Sequence, residues 1–89
     1  MNQEHLSRLK SAIRDVHDFP KPGIVFKDIT PVLGSGELFR IAIDEFISTI
    51  GETKPDKIVG IDARGFIFGA AMADRLGVGC VPVRKKGKL

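Results

Sequence analysis

Asp62 and Arg64 stand two residues apart inside an otherwise apolar stretch, with Ile58-Val59-Gly60-Ile61 before them and Phe66-Ile67-Phe68 after. If the first run is a strand and the second a helix, the helix opens on amide donors that no neighbouring Ser, Thr, Asp or Asn is placed to satisfy. Unsatisfied amides, the positive end of a helix dipole, Gly65 allowing a ligand close to the main chain, and a guanidinium able to grip two oxygens together suit a phosphate. Further along the chain, Arg84-Lys85-Lys86-Gly87-Lys88 is strongly basic. Were that segment to leave a strand parallel to the first, Arg84 and Lys85 would emerge at the same sheet edge as Arg64, and cations converging there suit a ligand with more than one phosphate. The alternative is that Asp62 and Arg64 pair with each other or with loop backbone, and that the basic tail is a solvated end.

The elements that must position these residues are legible from periodicity. Leu6, Leu9, Ile13 and Val16 recur at helical spacing and predict a first amphipathic helix over Glu4 to Val16. Two prolines in Asp18-Phe19-Pro20-Lys21-Pro22-Gly23 break regular structure, and Ile24 to Thr30 reads as a short extended segment ending before Pro31. Ser35 is placed to cap a second helix over Gly36 to Ile50, with Phe39, Ala42, Ile43, Phe46, Ile47 and Ile50 as its apolar stripe and Gly51 as its terminator. Lys57 to Ile61 then reads as a buried strand, Phe66 to Leu76 as a helix stopped by Gly77, and Cys80 to Val83 as another strand. Strand, helix and strand in that order make a right-handed βαβ unit with parallel strands, spanning 57–84. The fold class expected is α/β.

Composition narrows the function classes. The chain has 89 residues, 43% hydrophobic and 28% charged, as an ordinary packed domain has. So short a chain buries only somewhat over ~60% of its unfolded surface, which suggests one domain over residues 1–89 with a single core. The formal charge is +3, but Arg84, Lys85, Lys86 and Lys88 account for four of the fourteen cations, leaving ten against eleven acids elsewhere. The basicity is local and carries no interleaved aromatics, which argues against nucleic-acid binding. No apolar run approaches the roughly 20 residues of a membrane span, and Met1-Asn2-Gln3-Glu4-His5 lacks the pattern of a secretory signal. A cytoplasmic protein without a membrane partner is expected. Cys80 is the one cysteine, and neither histidine has a second ligand at zinc-like spacing, so no protein-held metal is expected. His5 and His17 read as surface residues; Cys80, Phe39 and Phe46 read as core.

Three blocks carry a resemblance. Phe19-Pro20-Lys21-Pro22-Gly23-Ile24-Val25-Phe26-Lys27-Asp28-Ile29-Thr30-Pro31-Val32-Leu33, then Gly60-Ile61-Asp62-Ala63-Arg64-Gly65-Phe66, then Val83-Arg84-Lys85-Lys86-Gly87-Lys88-Leu89 resemble, in order and separation, the amino-terminal half of the adenine phosphoribosyltransferases. The resemblance implies a partial type I phosphoribosyltransferase fold, a parallel sheet flanked by helices and incomplete in this chain. It implies a glycosyltransferase of purine salvage that forms AMP and pyrophosphate from adenine and phosphoribosyl pyrophosphate, with magnesium accompanying the latter, usually as a cytoplasmic homodimer.

Carried over by position, Val25 and Lys27 would meet the adenine edge through backbone groups and Phe26 would cover its face, making residues 1–33 the amino-terminal helix and purine-binding segment. Asp62, Ala63, Arg64 and Gly65 would form the pyrophosphate loop, with a cis peptide bond between Asp62 and Ala63; Arg84, Lys85 and Lys88 would reach phosphate oxygens. Members often have Arg at the position of Lys27. The mobile catalytic loop and the threonine- and glycine-rich phosphate turn of the family do not occur in the 89 residues, so no catalytic residue is assigned and the isolated chain is expected to be inactive unless a second chain supplies the missing half. The rival reading is a non-catalytic module that binds purines or phosphoribosyl pyrophosphate.

Overall fold

Asn2 caps the first helix: its side-chain oxygen accepts the amides of Glu4 at 2.8 Å and His5 at 3.1 Å. Helix α1 runs over Gln3–Ala12 and ends earlier than its apolar spacing predicts. Ile13 is already extended, and Arg14–His17 forms strand β1, antiparallel to β2, Val25–Asp28. The reason lies in the partner strand. The register sets Arg14 opposite Asp28, Asp15 opposite Lys27 and Val16 opposite Phe26, so two opposite-charge pairs and one apolar pair reward extension where continued helix would leave them unmade.

The connection between these strands is braced from within. Asp18 takes the left-handed conformation at φ 57° and its carboxylate accepts the Gly23 amide at 2.9 Å, while Gly23 itself sits at φ 85°. The Phe19–Pro20 bond is cis. After β2 comes a short helix that the sequence reading lacks, α2 over Thr30–Leu33, with Pro31 in its first turn, where a missing N–H costs nothing. Helix α3, Gly36–Ile50, begins as expected with the Ser35 hydroxyl accepting the Leu38 amide at 3.2 Å, and Gly51 follows at φ 71°.

The computed structural model describes residues 2–87, and the chain divides into two units, Met1–Glu45 and Phe46–Leu89. In the first, Arg8 pairs with Glu37 at 2.8 Å and His5 Nδ1 meets Glu45 Oε1 at 2.7 Å, so His5 is half-buried rather than a free surface residue. Val32, Ile41, Ala42 and Ile43 are buried. Phe46, expected in the core, is 46% exposed and meets Phe68 edge to face at 5.6 Å.

The second unit holds the βαβ: β3 Lys57–Ile61, α4 Arg64–Leu76 and β4 Gly79–Val83, the strands parallel and in register from Lys57 opposite Gly79 to Ile61 opposite Val83. Gly77, at φ 72°, closes α4, and the Val78 amide returns to the Ala73 carbonyl at 2.9 Å. One approach is very tight. A Cβ on Gly60 would lie 2.6 Å from the Gly65 carbonyl oxygen, and one on Gly69 would touch Cys80 Sγ and Gly60 Cα, each at 3.4 Å. The strand reading fails in one respect: β3 is not buried on both faces, because α4 covers only the face bearing Ile58, Gly60 and Cys80. Among the described residues the parallel sheet has two strands, and no helix is long and apolar enough to cross a membrane.

The tight approach gives a direct expectation. Gly60→Ala forces a methyl into a backbone oxygen and costs about 1–3 kcal/mol, by the usual penalty for overpacking. Gly36→Ala, where nothing lies within 4 Å, leaves stability unchanged or raises it. Paired thermal melts check this, and equal midpoints for the two variants would show that α4 does not need the contact.

Candidate functional site

Strand β3 ends at Ile61 and α4 begins at Arg64, so Asp62 and Ala63 make the whole turn between them. Two contacts define that turn. The Asp62 amide donates to the Val83 carbonyl at 3.0 Å, prolonging the parallel ladder by one step, and the bond from Asp62 to Ala63 is cis, where the resemblance placed it. Ala63 occupies the cap position of α4 and no side chain caps the helix. The Phe66 amide is turned back to the Ala63 carbonyl at 3.1 Å, so one of the early donors is met within the loop. Arg64 is the exposed first residue of the helix, and Gly65 is half-buried behind it.

The parallel register decides which cation reaches this turn. Arg84 follows directly on β4, and its Nε lies 3.6 Å from Asp62 Oδ2, with the guanidinium 5.7 Å above the Phe66 ring. The Asp62 carboxylate is mostly shielded from solvent, at 13% exposure. Asp62, Arg84, Phe66 and the start of α4 are thus brought together at the carboxyl end of the strands, where open α/β sheets bind ligands. Lys85 follows, exposed and outside regular structure, and Lys88 lies outside the described residues. Phe66 went unassigned in the sequence reading; the signal that could have found it is its place one turn into a helix whose neighbouring strand ends in Arg.

In the first unit, Val25, Phe26 and Lys27 all lie on β2. Phe26 is half-buried and meets Phe19 edge to face at 5.3 Å. Lys27 turns to the opposite face, where its Nζ donates to Asp15 Oδ1 at 2.6 Å. Beside that pair is an open hollow of about 590 Å³ lined by Lys10, Ile13, Asp15 and Lys27. The sequence reading missed Arg14 and Asp15, although the order Arg-Asp in one strand and Lys-Asp in the other is complementary when read antiparallel. Asp28 ends the strand as a loop brace: Thr30 donates to it through both hydroxyl and amide, the amide at 2.9 Å, and Arg14 pairs with it from β1. These donors, the Thr30 hydroxyl first, hold the Asp28 carboxyl down to about 2, and the Lys27 ammonium lowers that of Asp15.

Over nearly all of its length the chain is similar to the amino-terminal half of adenine phosphoribosyltransferases. The protein of that name from Sulfurimonas denitrificans is 60% identical over 81 residues, 91% of this chain and 44% of the relative. The crystal structure of the Rhodothermus marinus enzyme is 57% identical with a TM-score of 0.91, covering 99% of this chain and 50% of that one. The Saccharomyces cerevisiae enzyme, solved in complex with an imino-altritol bisphosphate and adenine, is 42% identical with a TM-score of 0.90 over 99% of this chain and 54% of that one. No family model matches. The fold is a partial type I phosphoribosyltransferase fold, and the chain spans about half the length of the relatives it matches.

The Asp28 contacts carry a pH dependence of definite sign. A carboxyl held below its ordinary 3.8 contributes stability that is complete above that value and is lost as pH falls through the folded value near 2. The Thr30 amide resonance should therefore titrate with a midpoint near 2, and Asp28→Asn should abolish the transition. A midpoint near 4 would show that the brace is not made.

Proposed function

We propose that this chain, which matches the amino-terminal half of the adenine phosphoribosyltransferases, supplies the purine-binding and diphosphate-binding parts of that reaction: transfer of ribose 5-phosphate from phosphoribosyl pyrophosphate to adenine, giving AMP and pyrophosphate. The observation that carries the reading is the likeness to the Rhodothermus marinus enzyme, which takes in both the β2 segment and the turn from β3 to α4 at 57% identity. The ligands named for the yeast structure, adenine and a bisphosphate sugar mimic, fit the same division of labour.

On this reading the diphosphate sits at the opening of α4. The uncapped helix start offers main-chain donors, and Arg64 offers paired ones. Gly65 supports the assignment, since its missing side chain is not demanded by packing: a Cβ there would come no nearer than 3.4 Å to Gly60. Arg84, with Lys85 and Lys88 after it, neutralises the charge that grows on the leaving pyrophosphate as the ribose carbon becomes cationic; positioning and charge neutralisation carry most of such a reaction. Adenine lies against Phe26 and meets backbone groups of Val25 and Lys27, a planar base being served by a ring face and an edge of main-chain donors and acceptors.

Magnesium screens the diphosphate charge when it accompanies the substrate. The described residues hold no group of three His, Cys, Asp or Glu side chains able to bind a metal. A cytoplasmic homodimer belongs to the same proposal by family likeness, as does purine salvage as the setting.

Titration calorimetry of the 89-residue chain against adenine, phosphoribosyl pyrophosphate and both together tests the reading. Phe26→Ala should weaken adenine at least tenfold and leave the sugar diphosphate unaffected, and Arg64→Ala should do the reverse. Binding of neither ligand by the wild-type chain, or loss of both in each variant, would overturn the assignment. AMP formation by the unmodified chain should be negligible, since no residue is assigned to assist departure of pyrophosphate.

A further inference from the structure

Phe19 is 50% exposed, and the buried residues of its unit are Val32, Ile41, Ala42 and Ile43, none of them in the β1–β2 hairpin. A ring left half in solvent removes little apolar surface from water, so Phe19 is not held in place as a core residue is. Nor does the loop need the ring for its shape. The Phe19 amide donates to the Ile24 carbonyl at 3.2 Å and the Ile24 amide to the Lys21 carbonyl at 3.2 Å. The Asp18 carboxylate accepts the Gly23 amide at 2.9 Å, with Asp18 and Gly23 both in the left-handed region. Main chain and one acid therefore fix where the Cα of Phe19 stands, whatever side chain it carries. The ring itself meets Phe26: the centroids are 5.3 Å apart and the planes 74° from parallel, so the positive rim of one ring faces the negative face of the other.

We propose that Phe19 is a positioning residue for purine recognition: its ring holds the plane of the Phe26 ring, so that Phe26 is set in the orientation a stacked base requires before the base arrives. The inference rests on the reading that adenine lies against Phe26, and it goes further by giving a task to a residue outside β2. Along the strand Val25 and Lys27 are exposed on the opposite face, so neither braces the Phe26 ring. Across the ladder Phe26 stands opposite Val16, a short aliphatic residue. A half-exposed phenylalanine turns about two side-chain bonds, and a base that stacks on it must take up that freedom. An aromatic neighbour set edge to face restricts the turn beforehand, through a contact that is directional where aliphatic packing is not. Leucine at position 19 would keep apolar bulk and lose that direction; tyrosine would keep the ring.

Titration calorimetry of the 89-residue chain with adenine compares wild type, Phe19→Leu, Phe19→Tyr, Phe26→Leu and the double variant Phe19→Leu with Phe26→Leu. Phe19→Leu should weaken adenine about two- to tenfold, the range that an edge-to-face pair supplies, and leave phosphoribosyl pyrophosphate unaffected. Phe19→Tyr should retain wild-type affinity. In the double variant the loss should be no greater than in Phe26→Leu alone, because a residue acting through Phe26 then has no ring to hold. A residue that merely stabilised the fold would instead weaken both ligands and add its loss in either background. Circular dichroism follows folding, and a Phe19→Leu chain that does not fold would show that the loop depends on the ring, against the proposal. No adenine binding by wild type, or unchanged affinity in Phe26→Leu, would remove the base-stacking reading and this inference with it. Loss in Phe26→Leu with none in Phe19→Leu, or an equal Phe19→Leu loss in both backgrounds, would overturn the inference alone.

Discussion

A methyl group at position 60 would lie 2.6 Å from the carbonyl oxygen of Gly65, so α4 rests on β3 backbone to backbone. Much of the second unit follows from that contact. With the helix so close to the strand, only Asp62 and Ala63 remain to reverse the chain, and the cap position is filled by Ala63, whose side chain offers no acceptor. The helix start is left facing the carboxyl end of the sheet, and β4, paired in parallel, delivers Arg84 to the same place. Larger residues at Gly60 would lift α4 and with it the whole rim. A site of this type is set by how near two backbones can come, and its side chains are placed as a consequence.

The acid in the turn then has a physical account. On the reading proposed above, a carboxylate beside a diphosphate would be repulsive, so its presence at the opening of α4 needs a compensating role. Asp62 lies 3.6 Å from Arg84, whose guanidinium also lies over Phe66, so an acid and a ring face together hold a flexible cation at the rim. On the reading proposed above, an arginine already positioned loses less conformational freedom when phosphate oxygens arrive. The acid is mostly shielded from solvent at 13% exposure, while Arg84 remains 40% exposed at the rim.

Sequence patterns reached the elements whose ends are chemically marked. Ser35 and Gly51 bracket α3, and Gly77 closes α4, because caps and left-handed glycines are local facts. The end of α1 was hidden because Leu6, Leu9, Ile13 and Val16 keep helical spacing through the break, and only the pairing of Arg14 and Asp15 with residues fourteen and twelve positions further along decides it. Pro31 concealed α2, being as compatible with a first helical turn as with a stop. The outward face of β3 and β4 misled for a different reason. Hydrophobic runs report that something covers a strand, and they do not say which segment supplies that cover. Of the site, Asp62, Arg64 and Gly65 were legible as a motif; the choice of Arg84 as the cation beside Asp62 required the parallel register.

The base segment separates two tasks that a single residue could have confused. An exchange of Lys27 for the Arg that the resemblance implies for many family members would be severe if a planar guanidinium were the group that met the ligand. Here the ammonium is engaged on Asp15 across the hairpin, on the face opposite Phe26. A lysine and an arginine serve equally to oppose an aspartate on an exposed strand pair, so the exchange preserves register while leaving the main chain of Val25 and Lys27 unchanged. Arg14 and Asp28 repeat the device one residue further on, and Asp28 continues it into the first turn of α2 through Thr30. Charge complementarity therefore fixes how β2 is presented; on the reading proposed above, recognition of a flat, uncharged base is left to backbone and a ring, groups that no single side-chain substitution along β1 would remove.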